Sequence, residues 1–286
     1  MKRRFDLHTH SAASDGTQTP AQLVADCAAM GLWAMALTDH DTVDGVEEAR
    51  QAGDRLGIIV LSGVELSAAF AGELHILGYG VNRSDAAFCA FLRRQREERE
   101  LRMPRMIARL RDLGVNIARE DVDRESRGEA SGRPHLARAL VRLGVCGSEQ
   151  EAFDRFLARG KPAYVGRSLP SPREAISAIR AADGRAVLAH PGCVGLGERE
   201  LEALVSDFAR RGLWGLEVFY PQHSDAFARA MLGLCRRTGL VPTLGSDCHG
   251  PGRGVPPAAG WERFGPMIPQ ETYDAIDTLA IDRRSN

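Results

Sequence analysis

The chain alternates short apolar runs of strand length with longer stretches whose apolar positions recur at helical spacing. Residues 3–7 (RRFDL), 34–38 (AMALT), 58–62 (IIVLS), 186–189 (AVLA), 215–219 (GLEVF) and 240–246 (LVPTLGS) read as strands. Residues 62–70 (SGVELSAAF) and 73–80 (ELHILGYG) read as two strands joined by a turn at Ala71-Gly72. Residues 20–31, 171–184 and 201–212 carry apolar side chains three and four apart, which predicts amphipathic helices. Strand, helix, strand alternation of this kind predicts an α/β barrel.

The alternation is regular to about residue 83 and resumes near residue 163. Between them, residues 88–159 read as helical and rich in Arg and Glu, with turn signals at Gly114, Gly128, Gly132 and Gly144. The expected organisation is a barrel built from residues 1–83 and 163–286, interrupted by an inserted helical subdomain over residues 84–162. Insertions between barrel strands shape substrate choice at the active-site face. After Gly250, residues 251–257 (PGRGVPP) read as a loop before a last short element.

At 286 residues the chain is long enough for one barrel plus such an insertion. Its formal net charge of -1 gives no global attraction to nucleic acid, so anion binding must come from local patches. With no signal-like apolar segment before the first strand and no run of membrane-spanning length, the expected setting is cytoplasmic, without a membrane or an obligate protein partner. The six cysteines are scattered with no C-x-x-C pair, which fits reduced thiols better than a disulfide framework. Cys248 stands between Asp247 and His249, but on a strand-like segment its side chain points away from theirs.

Five of the eight histidines fall in strings that also hold carboxylates, residues 6–10 (DLHTH), Asp39-His40, residues 73–75 (ELH) and residues 246–249 (SDCH), and a sixth, His190, stands before Pro191 at the end of an apolar run, with Asp15 and Glu65 between them. Neutral imidazoles and carboxylates together bind Zn, Mn or Fe while offsetting several positive charges in a small volume. Most of these strings follow a predicted strand, where barrel enzymes place their chemistry. One histidine after a strand is usually a surface or satisfied core residue, whereas six in this arrangement point to a multinuclear metallohydrolase. Asp39 reads as a partner that orients His40 rather than a ligand, and Asp6 and Asp41 read as solvated.

The order H-x-H, an acid, D-H, G-x-E, H, H-P and D-x-H resembles the PHP (polymerase and histidinol phosphatase) family over residues 5–83 and about 163–250. The resemblance implies a distorted seven-stranded (β/α)7 TIM-like barrel and hydrolysis of a phosphoester at a trinuclear metal site. Carried over position by position, one metal would be held by His8, His10, Glu65 and Asp247. A second would be held by Glu65, His75 and His190, and a third by Asp15, His40 and His249. The implied cofactors are two to three divalent ions, Mn first, with Zn, Fe or Mg as alternatives. A bridging hydroxide held by these ligands would be the nucleophile, so neither serine nor cysteine is required.

The insertion carries the substrate signal. Arg93, Arg94, Arg96, Arg99, Arg102 and Arg105 crowd one predicted helix among Glu97, Glu98 and Glu100, and for most of them a solvated, ion-paired face suffices. Arg99 and Arg102 fall instead on the face that Phe88, Leu92, Met103, Met106 and Leu110 make apolar, unless Pro104 kinks the helix and shifts the phase. Arg133 and His135, in the turn-like residues 131–135 (SGRPH), are further phosphate-binding candidates, and His223 is a weaker one. His135 and His223 are also candidate assisting groups in catalysis.

Two phosphate-binding features fit the branch of the family encoded beside tryptophan-biosynthesis genes, which acts on nucleoside 3′,5′-bisphosphates and 5′-phosphorylated short RNA. The expected partner is a small nucleotide or a short RNA or DNA oligonucleotide, with Phe70, Phe219 and Tyr220 as stacking candidates. Histidinol-phosphate phosphatase is the alternative within the same chemistry, a polymerase-associated binding module the alternative of another class, and an amidohydrolase a third. The last commonly needs a bridging Lys, and this chain has only Lys2 and Lys161.

Overall fold

The computed structural model describes residues 3–71, 73–126 and 132–282. In chain order β1 (Arg4–Thr9), α1 (Pro20–Ala29), β2 (Leu32–Leu37), α2 (Val46–Leu56) and β3 (Ile59–Ala69) form the first β/α repeats, with β1, β2 and β3 parallel. The next strand, β4 (Glu73–Tyr79), turns back antiparallel to β3. Among the described residues four α-helices follow, α3 (Ala86–Asp112), α4 (Arg119–Ser126), α5 (Arg133–Arg142) and α6 (Glu149–Ala152), the last running on into a π-helical turn over Phe153–Leu157. The β/α pattern resumes with α7 (Pro172–Ala181), β5 (Arg185–Leu188), α8 (Glu198–Arg210), β6 (Gly215–Phe219), α9 (Asp225–Thr238) and β7 (Val241–Leu244), and ends with α10 (Trp261–Phe264) and α11 (Gln270–Asp282).

The seven strands pair in chain order, β5, β6 and β7 again parallel, and β4 is antiparallel to both of its neighbours. Beyond the last strand the chain returns to the first: the Asp247 N–H donates to His8 O at 2.9 Å and the His10 N–H to Cys248 O at 2.8 Å. The result is a distorted seven-stranded TIM-like barrel, closed where the candidate ligands lie.

Local chemistry sets the element ends. Thr19 and Gln22 form a reciprocal capping box around Pro20 at the start of α1, and Ser171 with Glu174 does the same around Pro172 at α7. Strands buried on both faces must be apolar throughout, which is why β2 reads LWAMAL.

Contacts divide the chain into two units, Met1–Leu92 with Leu169–Asn286, and Arg93–Ser168. The first has a core that includes Phe5, Leu7, Met35, Leu61, Leu66 and Ile76, and the second is built on Met103, Met106, Leu110, Leu136, Leu140 and Leu157. Phe88 and Leu92 belong to the first core, so these limits fall several residues beyond the sequence-based ones.

Three local expectations are corrected. The long helix α3 runs unbroken through Pro104, which sits on an exposed face, so the phase of its arginines does not reset. Arg133 and His135 lie in the first turn of α5, with Gly132 as its extended N-cap and Pro134 early in the helix, not in a turn. The last element, α11, is a 13-residue helix. Gly72, Gly128 and Ser131, named as turn or loop positions, lie outside the described residues. Among the described residues, no helix is long and apolar enough to cross a membrane.

Asp6 is fully buried rather than solvated, and burial pushes its carboxyl pKa up. It accepts from the N–H of His8 (3.1 Å), the N–H and hydroxyl of Ser246 (3.0 and 2.5 Å) and the N–H of Ala258 (2.6 Å). Removing it strands several buried donors, each worth on the order of 1–3 kcal/mol. Asp6→Ala is therefore expected to lower unfolding free energy in urea by about 3 kcal/mol or more, and a loss below about 1 kcal/mol would show that Asp6 does not hold the barrel closed.

Candidate metal centre

All nine residues singled out as ligands lie in three groups whose donor atoms stand within 4.8 Å of one another. His8, His10, Glu65 and Asp247 form one, Glu65, His75 and His190 a second, and His10, Asp15, His40 and His249 a third. Glu65 belongs to two groups, as the resemblance implied. His10 also belongs to two, which adds it to the third set.

The fold delivers these side chains from six strands. His8 is in β1 and His10 just beyond it; His40 follows β2, His190 follows β5, and Asp247 and His249 follow β7. Glu65 corrects the expectation that ligands cap strand ends, because β3 continues past it to Ala69 to pair with β4. In that register Glu65 lies opposite Leu77 and Ser67 opposite His75, so Glu65 and His75 are diagonal neighbours on one face. His190 (φ 27°) and Asp247 (φ 59°) hold left-handed backbone conformations that non-glycine residues rarely adopt.

Glu65 is surrounded by five imidazoles. Its Oε1 is 2.7 Å from His75 Nδ1 and 3.2 Å from His190 Nε2, and its Oε2 is 3.1 Å from His10 Nε2, 3.2 Å from His40 Nδ1 and 3.3 Å from His8 Nε2. Even so, Oε2 has no hydrogen-bond geometry to any of them, and neither does the buried Nδ1 of His10. His8 Nε2 and His10 Nε2 face each other at 3.1 Å, within hydrogen-bond distance when one ring donates and the other accepts. Donors that converge without pairing are what divalent cations require, and the imidazole and carboxylate set fits them.

The electrostatics agree. Burial alone would push the His10 and His190 imidazoles down, yet the carboxylates of Asp247 and Glu65 hold His10 at about 10, and hydrogen bonding to Cys193 and Glu65 holds His190 at about 10. His8 is raised well above its usual range, against its burial, by Glu217, Glu65 and Asp247. Burial works to raise Glu65, Asp15 and Asp247, but the surrounding imidazoles keep all three carboxyls below their ordinary range. Positive charge is thus strongly favoured here.

Glu217, on β6, is the functional residue that sequence reasoning missed. It is fully buried, its Oε1 3.0 Å from His8 Nδ1, while its Oε2 accepts the His190 N–H at 2.7 Å. It thereby fixes one histidine ring and the backbone of another. The available signal was a lone carboxylate in an otherwise apolar strand, GLEVF. Asp39 plays a different part from the one expected: it accepts from the Ser11 N–H (2.8 Å) and the hydroxyls of Ser11 (2.7 Å) and Ser14 (2.6 Å), tying down the loop that carries Asp15. Asp41 is buried rather than solvated, and its N–H donates to Glu65 O at 3.0 Å.

His223 is buried with both ring nitrogens engaged by backbone, Nδ1 with Val218 O at 3.0 Å and Nε2 with the Gly192 N–H at 3.2 Å. Burial lowers its pKa, and this pattern is a neutral imidazole bracing the loops after β5 and β6. Of the stacking candidates, Phe219 is fully buried, Phe70 is packed against the core, and Tyr220 lines a cavity with Asp15, Asp247 and His249. All six cysteines are free, and Cys248 is outside the three donor groups, its thiol accepting the Gly250 N–H at 3.3 Å.

Arg99, Arg102, Arg133 and His135 all belong to the second unit. Arg102 Nε donates to Val165 O at 3.0 Å, and the guanidinium carbons of Arg102 and Arg133 stand 5.8 and 5.7 Å from the centre of the Tyr164 ring. Arg99 is half-buried. His135 is buried, and its Nδ1 accepts the Gly132 N–H at 2.9 Å, capping α5. Arg93 and Arg105 form the local ion pairs expected of a solvated face, with Glu97 and Glu98 respectively.

Because Glu217 orients His8 and His190 together, Glu217→Ala is expected to weaken divalent-metal affinity by about 10–100-fold, measured by chelator competition. Unchanged affinity would remove Glu217 from the centre.

Comparison with known proteins places this geometry. The PHP domain model matches residues 6–116. The chain is 36% identical over 250 residues to the 5′-3′ exoribonuclease Rnm of Escherichia coli (strain K12), covering 86% of this chain and 85% of that protein. It is 37% identical over 252 residues to a 3′,5′-nucleoside bisphosphate phosphatase of Chromobacterium violaceum, covering 87% and 88%. A solved structure of an amidohydrolase from Chromobacterium violaceum, with bound sulfate and no metal, superposes with a TM-score of 0.74 at 36% identity, covering 88% of this chain and 90% of that one. With its closed barrel and its three donor groups, the chain belongs to the PHP family and is a phosphoesterase.

Proposed function

We propose that this protein removes the 3′-phosphate from nucleoside 3′,5′-bisphosphates to leave the 5′-monophosphate, and cleaves the same linkage at the 5′ end of short 5′-phosphorylated RNA. The observation that carries this reading is that relatives named for the two activities match at 36% and 37% identity over nearly the same share of the chain. Both activities reduce to breaking one O3′–P bond in a nucleotide that keeps its 5′-phosphate. One centre serves both.

His8, His10, Asp15, His40, Glu65, His75, His190, Asp247 and His249 are the proposed ligands of two to three divalent ions, manganese first among Zn, Fe and Mg. Bound there, such ions supply Lewis-acid stabilisation of the phosphoryl oxygens and lower the pKa of water. The residues themselves set the geometry. Glu65 links two donor groups and His10 links two, Glu217 fixes the ring of His8, and Asp39 fixes the loop bearing Asp15. Arg99, Arg102 and Arg133, with His135, are the proposed contacts to the phosphate that is retained, since a guanidinium fork suits bidentate phosphate binding. His223, with both nitrogens engaged, is assigned to bracing rather than to proton transfer.

Metal-loaded protein is expected to release phosphate from adenosine 3′,5′-bisphosphate in strong preference to 3′-AMP, 5′-AMP or histidinol phosphate. Arg133→Ala should raise KM for the bisphosphate by about 10-fold or more while changing kcat/KM for an aryl phosphate by less than about twofold, and Asp247→Ala should remove both activities. Preference for histidinol phosphate would overturn the substrate, and equal losses on both esters in Arg133→Ala would overturn the second-phosphate contact.

A further inference from the structure

Tyr220 follows β6 directly, and it lines a cavity of about 450 Å³ together with Asp15, Asp247 and His249. Its hydroxyl donates to Oδ2 of Asp247 at 3.3 Å, while Oδ1 of the same carboxylate faces His10 Nε2 at 3.1 Å and His8 Nε2 at 3.4 Å. The phenol ring lies 5.6 Å from the ring of His190 and 5.2 Å from that of His223. It therefore stands between Asp247, in the group with His8, His10 and Glu65, and His190, in the group with Glu65 and His75. A phosphoryl group held between those two groups would have this hydroxyl beside it. At 3.3 Å the bond to Asp247 is long for O–H···O, so the hydroxyl exchanges it readily for a better acceptor.

A sugar alkoxide is a poor leaving group, and its departure calls for a hydrogen-bond donor at the ester oxygen. Among the other side chains lining the cavity, the Gln222 amide is not an acid, and Ser246, Arg253 and His249 are committed elsewhere. The Ser246 hydroxyl donates to Asp6 at 2.5 Å, Arg253 donates to Asp15 O and cannot release a proton, and His249 has Nδ1 on Asp247 O and Nε2 on Asp15. His223, behind Tyr220, has both nitrogens on backbone.

We propose that Tyr220 is a catalytic residue whose hydroxyl donates to the departing ester oxygen. The oxygen of water bonds to phosphorus and the P–O bond to the alcohol breaks. The departing oxygen takes the tyrosine proton, and the tyrosine regains one from solvent, into which the attacking water has released its own. The products are the alcohol and phosphate. This inference rests on the phosphoesterase activity and not on the nucleotide as substrate.

The test compares two esters without nucleotide features, benzyl phosphate, whose alcohol leaves poorly, and 4-nitrophenyl phosphate, whose phenolate leaves unaided. In Tyr220→Phe, with bound metal determined by elemental analysis, kcat for benzyl phosphate is expected to fall by about 100-fold while kcat for 4-nitrophenyl phosphate falls by less than about threefold and metal content is unchanged. Equal losses on both esters, an unchanged rate on benzyl phosphate, or loss of metal would each overturn the proposal, the last assigning Tyr220 to holding Asp247. Should the variant fail to fold, the wild-type protein decides across a series of alkyl and aryl phosphates. A shallow dependence of kcat on leaving-group pKa supports protonation of the departing oxygen, and a steep one contradicts it.

Discussion

Glu65 sits within 3.3 Å of nitrogens from five histidines at the closed rim of a barrel, and the rest of the molecule is arranged around that contact. Removing this many polar groups from water is unfavourable unless they are paired or neutralised. Here the carboxylates outbid burial and hold the histidine pKa values up, so that without metal the positive charge arrives as protons on the rings. Divalent cations meet the same demand with better directionality, and since ligating imidazoles must be neutral, metal binding and proton release are coupled.

Keeping such a cluster in place needs a frame that is itself buried and hydrogen-bonded. Asp6 ties β1 to the segment after β7, Asp39 pins the loop that carries Asp15, and Glu217 reaches across to His8 and to the backbone of His190. The reversal of β4 is part of the same frame, since it alone brings His75 to the face of Glu65. The left-handed backbones of His190 and Asp247 store strain of about 1–3 kcal/mol each, which persists because the neighbouring strands over-determine those positions. Geometry at the rim is thereby set by the barrel rather than by the ligands' own preferences, and it leaves the hydroxyl of Tyr220 on Asp247 at the wall of the cavity.

The candidate ligand set was legible because most of the histidine strings follow an apolar run, and barrel topology gathers strand ends whatever their distance in sequence. What the pattern concealed were residues whose roles arise only on closure. Asp6 looks like one polar position in an alternating strand and becomes a four-fold acceptor once β7 returns to β1. Glu217 is a single letter in GLEVF, with no local sign of which strand it would face. Asp39 and His40 are adjacent, but neighbours in an extended segment point apart, so Asp39 found the serines of another loop instead. Pro104 forfeits one helical hydrogen bond on an exposed face, and packing of Met103, Met106 and Leu110 on the second core carries the helix through it.

The measurement closest to the central claim is metal stoichiometry by elemental analysis of protein reconstituted with manganese, wild type beside Glu65→Gln. If Glu65 is the shared anion that lets cations sit close together, the wild-type chain holds more than one ion and Glu65→Gln loses more than one of them while remaining folded. A wild-type chain that binds a single ion, or a Glu65→Gln variant that keeps its full complement, would contradict the account.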